Sequence, residues 1–256
     1  MASTSETGHA KNVANFEDLI SFCTAYGASY NPVKLALQIM ALQTLRLTAQ
    51  GTLQSVIAFA TNFINAVNAR QIAFDPIKAL ATRIVNALSA TNASSELIKD
   101  AKSINRKIQG ARKGGSKKTD PTIPVPPVPP GPGPVPTPNP QQISVSQQSY
   151  DSLLQHFNAL IALVASEPTY MPNEMDLQVA TLTAQSANLA AKNTDVINAT
   201  TNLSNARITR NATLYANQTG LYDIAQEVKK YVKSVFGASS EQYKQVSGIK
   251  FKKIIN

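Results

Sequence analysis

Tryptophan is absent from this 256-residue chain, and aromatic residues together make up only 6% of it. The large anchors of most cores are therefore scarce, and the 43% of hydrophobic residues, much of it alanine, must build a core from small contributions. Cysteine occurs once, at Cys23, which excludes an internal disulfide. Among Leu19, Ile20 and Phe22 it reads as a buried, inert thiol. Glycine is sparse, with 11 residues, and β-branched residues seldom alternate, so helix is favoured over sheet throughout. The two histidines, His9 and His156, have no second His, Cys or carboxylate at zinc spacing, and the Glu-x-x-His pairs of a di-iron bundle are missing. Gly110 and Gly114-Gly115 lack the pattern of a phosphate-cradling loop. Carboxylates are few. These absences point away from an enzyme and give no reason to expect a catalytic residue, metal, cofactor or small-molecule substrate. No run of 18 apolar residues occurs, and the start of the chain lacks the basic-then-apolar order of a signal peptide, so the expectation is a cytoplasmic protein.

What the chain does have is a duplication. Laid without a gap, residues 30–70 and 170–210 are identical at 12 of 41 positions, among them Tyr30/Tyr170, Pro32/Pro172, Leu37/Leu177, Gln38/Gln178, Val56/Val196 and Arg70/Arg210. Unrelated sequences match at about 2 or 3 on average usage. Further on the offset grows by five, and Ala93-Ser-Ser-Glu96 meets Ala238-Ser-Ser-Glu241. The expected fold is all-α: two tandem three-helix up-and-down units, each with a short basic tail helix, joined by a polyproline linker or packed together as a six-helix bundle. The expected boundaries are a disordered start at 1–10, repeat 1 at 11–118, a Pro-rich linker at 119–142 and repeat 2 at 143–256.

Within repeat 1, a first helix from about Lys11 to Tyr26 carries Val13, Phe16, Leu19, Ile20 and Cys23 on one face. A second, from Pro32 to about Ala69, shows a seven-residue seam of Leu35, Leu42, Ala49, Val56 and Phe63. The second copy repeats it as Met175, Leu182, Leu189, Val196 and Leu203. Asp75-Pro76 opens a third helix, matched by Leu221–Val235, and Ser239 with Gln242 is spaced as a capping box for the tail helix. Arg70 and Arg210 read as caps or inter-helix ion pairs, and His156 as a half-buried packing residue. Eleven of the 15 prolines lie in 121–140. As polyproline this segment reaches about 60 Å, enough to carry the chain back along a whole bundle.

Charge is concentrated. Residues 99–118 hold eight Lys/Arg against one Asp, and residues 229–256 hold seven against one Glu, so these two segments carry +13 of a net +9 and the rest carries −4. Candidate interaction residues are Lys102, Arg106, Lys107, Arg112 and Lys113 in the first tail and Lys250, Lys252 and Lys253 in the second. The second tail, Phe236-Gly-Ala-Ser-Ser-Glu-Gln-Tyr243-Lys-Gln-Val246-Ser-Gly248, resembles a pattern of uncharacterised bacterial helical proteins: an aromatic-Gly turn, then Ser, Tyr, Val and Gly before a basic end. The first repeat keeps Ser94, Ser95 and Glu96 but has Thr91-Asn92 for the turn and Ile98 for the tyrosine. The resemblance implies a helical fold with a basic tail and no known activity. The functional expectation is a non-enzymatic structural or interaction protein whose two similar surfaces engage a protein partner or a second copy. The alternatives are a membrane-active bundle of the pore-forming-toxin kind, or nucleic-acid binding through the tails.

Overall fold

The computed structural model describes residues 4–110 and 148–254, and every regular element in them is helical. Helix α1 (Thr4–Ala25) is followed by 3-10 turns at Gly27–Ser29 and Leu35–Leu37. Then come α2 (Ile39–Phe74), α3 (Ile77–Ser89) and α4 (Ser95–Gln109). The second half repeats the order with α5 (Tyr150–Ala165), a 3-10 turn at Met175–Leu177, α6 (Val179–Tyr215), α7 (Leu221–Phe236) and α8 (Glu241–Ser247). Helix α1 thus starts seven residues before Lys11, inside the stretch expected to be disordered. His9 is fully buried there and shares a 2.7 Å hydrogen bond with Tyr215. Apolar periodicity gave no sign of this, because polar contacts hold the first turns.

The identical tyrosines explain the entry to each long helix. Tyr30 donates its hydroxyl to the Leu37 carbonyl (2.7 Å), and Tyr170 does the same to Leu177 (3.0 Å), clasping the 3-10 turn between them. Gln38 and Gln178 then adopt extended backbone, with ψ 147 and 140, before the α-helix begins. The expected helix start at Pro32 is therefore too early. The seam loses its first position with it: Leu35 and Met175 are 73% and 77% exposed, while Leu37 and Leu177 are buried. The extended glutamine resets the helical phase. From Leu42/Leu182 onward the seven-residue step holds, with Leu42, Ala49, Val56, Leu182, Leu189, Val196 and Leu203 buried and Phe63 half-buried.

Two compact units form, and they cut across the repeats of the sequence. One comprises the chain up to Ala66 and from Val196; the other is Val67–Asp195. In the first, α1 packs on α7 and α8 around Phe16, Leu19, Cys23, Leu214, Val228 and Val232, all with no exposed surface. In the second, α3, α4 and α5 pack on one another around Ile84, Leu88, Ile108, Phe157, Leu160 and Leu182. Each unit takes the opening helix of one repeat and the closing helices of the other. Burying a Leu, Ile or Phe contributes about 1.5–3 kcal/mol, so a core of this size holds without tryptophan. The stripes on α3 (Ile77, Leu80, Ala81, Ile84, Val85, Leu88) and α7 (Leu221, Ile224, Ala225, Val228, Val232) are alike, so either is apolar enough to receive α1.

Local signals set the ends. Ser94, Ser149 and Ser240 accept hydrogen bonds from the backbone N–H three residues on, at 3.1–3.2 Å. The cap of α8 therefore falls on Ser240, one residue after Ser239. Asp75 makes no side-chain cap for α3, whose N-cap position is Pro76. The Pro-rich segment 119–142 lies outside the described residues, and the described residues on either side of 111–147 are neighbours: Gln148 Nε2 donates to the Lys107 carbonyl at 3.0 Å. The two ends meet, so no return journey of bundle length separates them.

Candidate interaction surface

Lys102, Arg106 and Lys107 are exposed on α4, in line with Lys99 at helical spacing, while Ala101 and Ile108 of the same helix are fully buried. Arg112 and Lys113 lie outside the described residues. Lys250, Lys252 and Lys253 are exposed in the non-helical stretch after α8, and they belong to the other compact unit. None of these described cations pairs with a described carboxylate. Ion pairs form elsewhere, including Lys34–Glu227 (2.5 Å) and Arg83–Asp176.

The stretch after α8 is built into the fold by polar groups that sequence reasoning did not single out. Asn12 Nδ2 donates to the Lys252 carbonyl (2.7 Å), and its Oδ1 accepts from the Lys252 N–H (3.0 Å). Its second amide hydrogen goes to the Tyr215 hydroxyl (3.0 Å), so the whole amide is used. Asn15 Nδ2 donates to the Lys250 carbonyl at 2.6 Å. Phe251 meets Phe16 edge to face, with centroids 6.5 Å apart, and Lys229 Nζ lies 5.2 Å from the Phe251 ring while donating to the Ile249 carbonyl. Burial pulls the Lys229 pKa down. Residues 252 and 250 meet Asn12 and Asn15, so the segment runs antiparallel to α1. Two of its residues span three of the helix, about 4.5 Å, which is an open conformation. The only prior signal was two asparagines at i and i+3 flanking the Val13/Phe16 stripe.

The unit built on α5 differs at the matching places. Where α1 has His9, Asn12 and Asn15, α5 has Tyr150, Leu153 and His156, and helix α4 packs there in place of an open segment. His9 faces Tyr215 in one unit as Tyr150 faces Phe74 in the other, with centroids at 5.5 and 4.8 Å. Arg70 stacks 4.1 Å over the Tyr150 ring, while buried Arg210 bonds the Asn211 side chain at 2.8 Å. His156 is half-buried, and burial followed by the nearby Lys107 charge lowers its pKa.

A second surface lies on α2. Met40, Leu47, Ile57 and Ile64 are each more than half exposed, and their counterparts on α6 are Ala180, Ala187, Ile197 and Ser204. The copies share their buried seam and, apart from Ile57/Ile197, differ at these outer positions. Clefts of about 450 Å³ (Arg83, Asn86, Tyr170, Glu174) and about 540 Å³ (Glu17, Arg46, Leu47) are open and contain no His or Cys. Among the described residues no three His, Cys, Asp or Glu gather as a metal site, and no helix is long and apolar enough to cross a membrane. Comparisons with protein-family models, curated proteins and solved structures give no match to this chain.

Proposed function

We propose that this chain is a non-enzymatic interaction protein, a duplicated helical module that offers two related basic faces to acidic partners. One observation supports this reading above the rest. The basic residues are displayed on fixed backbone: Lys102, Arg106 and Lys107 on a helix with a buried opposite face, and Lys250 and Lys252 on main chain tied to α1. Cations serving solubility alone need no such support. Two faces on one chain raise the effective concentration of the second contact once the first is made.

The test uses labelled polyglutamate, single-stranded DNA and anionic vesicles against the full chain at low and physiological salt. Binding of polyglutamate that weakens with salt, and weakens further in Lys102→Glu/Arg106→Glu, supports the proposal. DNA bound in preference, with an affinity falling steeply in log salt, would transfer it to nucleic acid. No binding of any probe at low salt would remove it. The exposed row on α2 favours a second reading, contact with an apolar surface. Flotation with vesicles that Leu47→Gln/Ile57→Gln abolishes would favour that reading.

A further inference from the structure

The polar hold on residues 249–254 is directed at main chain. Asn12 satisfies both the N–H and the carbonyl of Lys252, Asn15 takes the Lys250 carbonyl, and Lys229 donates to that of Ile249. Side chains add to it: Phe251 meets Phe16, Ile249 packs on the same core, and Ile254 lies against α1 at Gly8. Nothing in that set requires the segment to belong to the same chain. The arm behind it is short: α8 has seven residues and buries only Val246, whereas α4 has fifteen and buries Ala101 and Ile108. It is bonded at the end of α1 by the Tyr26 hydroxyl, which donates to the Gln242 carbonyl at 2.9 Å. The arm leaves α7 at Gly237, which has φ 92 and open space around it; the Ser240 hydroxyl, donating to the Gly237 carbonyl at 2.8 Å, is a side-chain hold on that turn.

We propose that the α1 groove is an exchange site, in which the arm of a second copy, α8 together with residues 249–254, replaces the chain's own by swinging about Gly237. Each Asn12 then clamps a Lys252 from the other copy. The bonds are the same in number and kind, so the balance rests on the strain of the hinge and on concentration. The occupant is a second copy because the groove already fits this segment, with Phe251 on Phe16 and Ile254 on Gly8. The trade also has a precedent inside the chain, where α1 of the first repeat packs on α7 and α8 of the second. The proposal does not depend on the basic-face reading, which concerns lysine side chains facing solvent.

Full-length chains carrying either Gly8→Cys or Ile254→Cys test it. A Cβ at position 8 falls 2.6 Å from Ile254 Cδ1, so the two sulfurs meet only when the segment lies on α1. Neither position belongs to the clamp. The two variants are mixed and oxidised over a range of concentrations, and peptide mapping identifies 8-to-254 links. The expected result is a linked pair of twice the 27.4 kDa chain mass, growing with concentration. Asn12→Ala loosens the hold in both arrangements alike. It therefore speeds the appearance of the pair about tenfold, from the loss of its hydrogen bonds, and leaves the final share unchanged. A chain carrying both cysteines should close on itself. If it does so while the mixture gives no link between copies at any concentration, the proposal is overturned. Failure of the double variant to close overturns it as well, since the groove is then not filled as described.

Discussion

Tyr30 and Tyr170 set the phase of their long helices through one hydrogen bond each. Removing the hydroxyl in Tyr30→Phe leaves the Leu37 carbonyl without its buried partner. The expected cost is about 1–2 kcal/mol, a fall in Tm of about 2–8 °C for a chain of this size. Thermal melts of the variant and parent measure it. Cys23 gives a prediction of a different kind. Burial pushes its thiol up to about 12, so a thiol reagent at neutral pH should label the native chain far more slowly than the chain in denaturant. Rapid labelling of the folded protein would contradict the burial. Asp176 supplies the pH dependence. Its hydrogen bond from Arg83 holds the carboxyl below its ordinary 3.8. A carboxyl lowered in the folded state adds stability that is complete above the unfolded value and is lost as pH falls through the folded one. The parent should therefore lose more stability than Asp176→Asn on going from about pH 6 to about pH 2. Equal losses in parallel melts would show that the pair has no such role.

At the scale of elements, much was legible and the gaps have physical causes. The apolar stripes of α1, α3 and α7 and the seam from Leu42 and Leu182 onward follow from spacing alone, because burial imposes the helical period. The seam's first position did not follow. A tyrosine clasp and an extended glutamine reset the phase, and neither leaves a periodic trace. The clamp on residues 249–252 was hidden for the same reason: Asn12 and Asn15 act through main chain far away in sequence. Choice of partner between elements is where charge decides. Lys34 pairs with Glu227 in one unit and Asp176 with Arg83 in the other. Position 34 corresponds to Glu174, and Glu227 aligns with Arg83, so the polarity is reversed between the copies. A repeat folded back on itself would set Lys34 toward Arg83 and Glu174 toward Glu227, like charges facing in both. Each exposed pair contributes little by itself, but against alternatives with similar apolar stripes the sign is enough to select. Lys34→Glu should lower Tm, and adding Glu227→Lys should restore most of the loss. A double variant less stable than either single one would refute the pairing.

The whole molecule is organised by reciprocity: each compact unit needs the opening helix of one repeat and the closing helices of the other. The duplication was plain in the sequence, but this arrangement was not. The two repeats carry the same stripes, and a pattern common to both cannot say which copy receives which. The segment 111–147 joins residues that already touch, Lys107 and Gln148, so the fold does not depend on it as a spacer. The most direct test is to place a protease site at residues 131–133, cut the folded chain to completion, and measure its mass by light scattering behind size exclusion at physiological salt. Reciprocal packing predicts that the two fragments stay together at the mass of the intact 27.4 kDa chain. Elution as two separate folded fragments would mean that each repeat folds on itself, and would contradict the account.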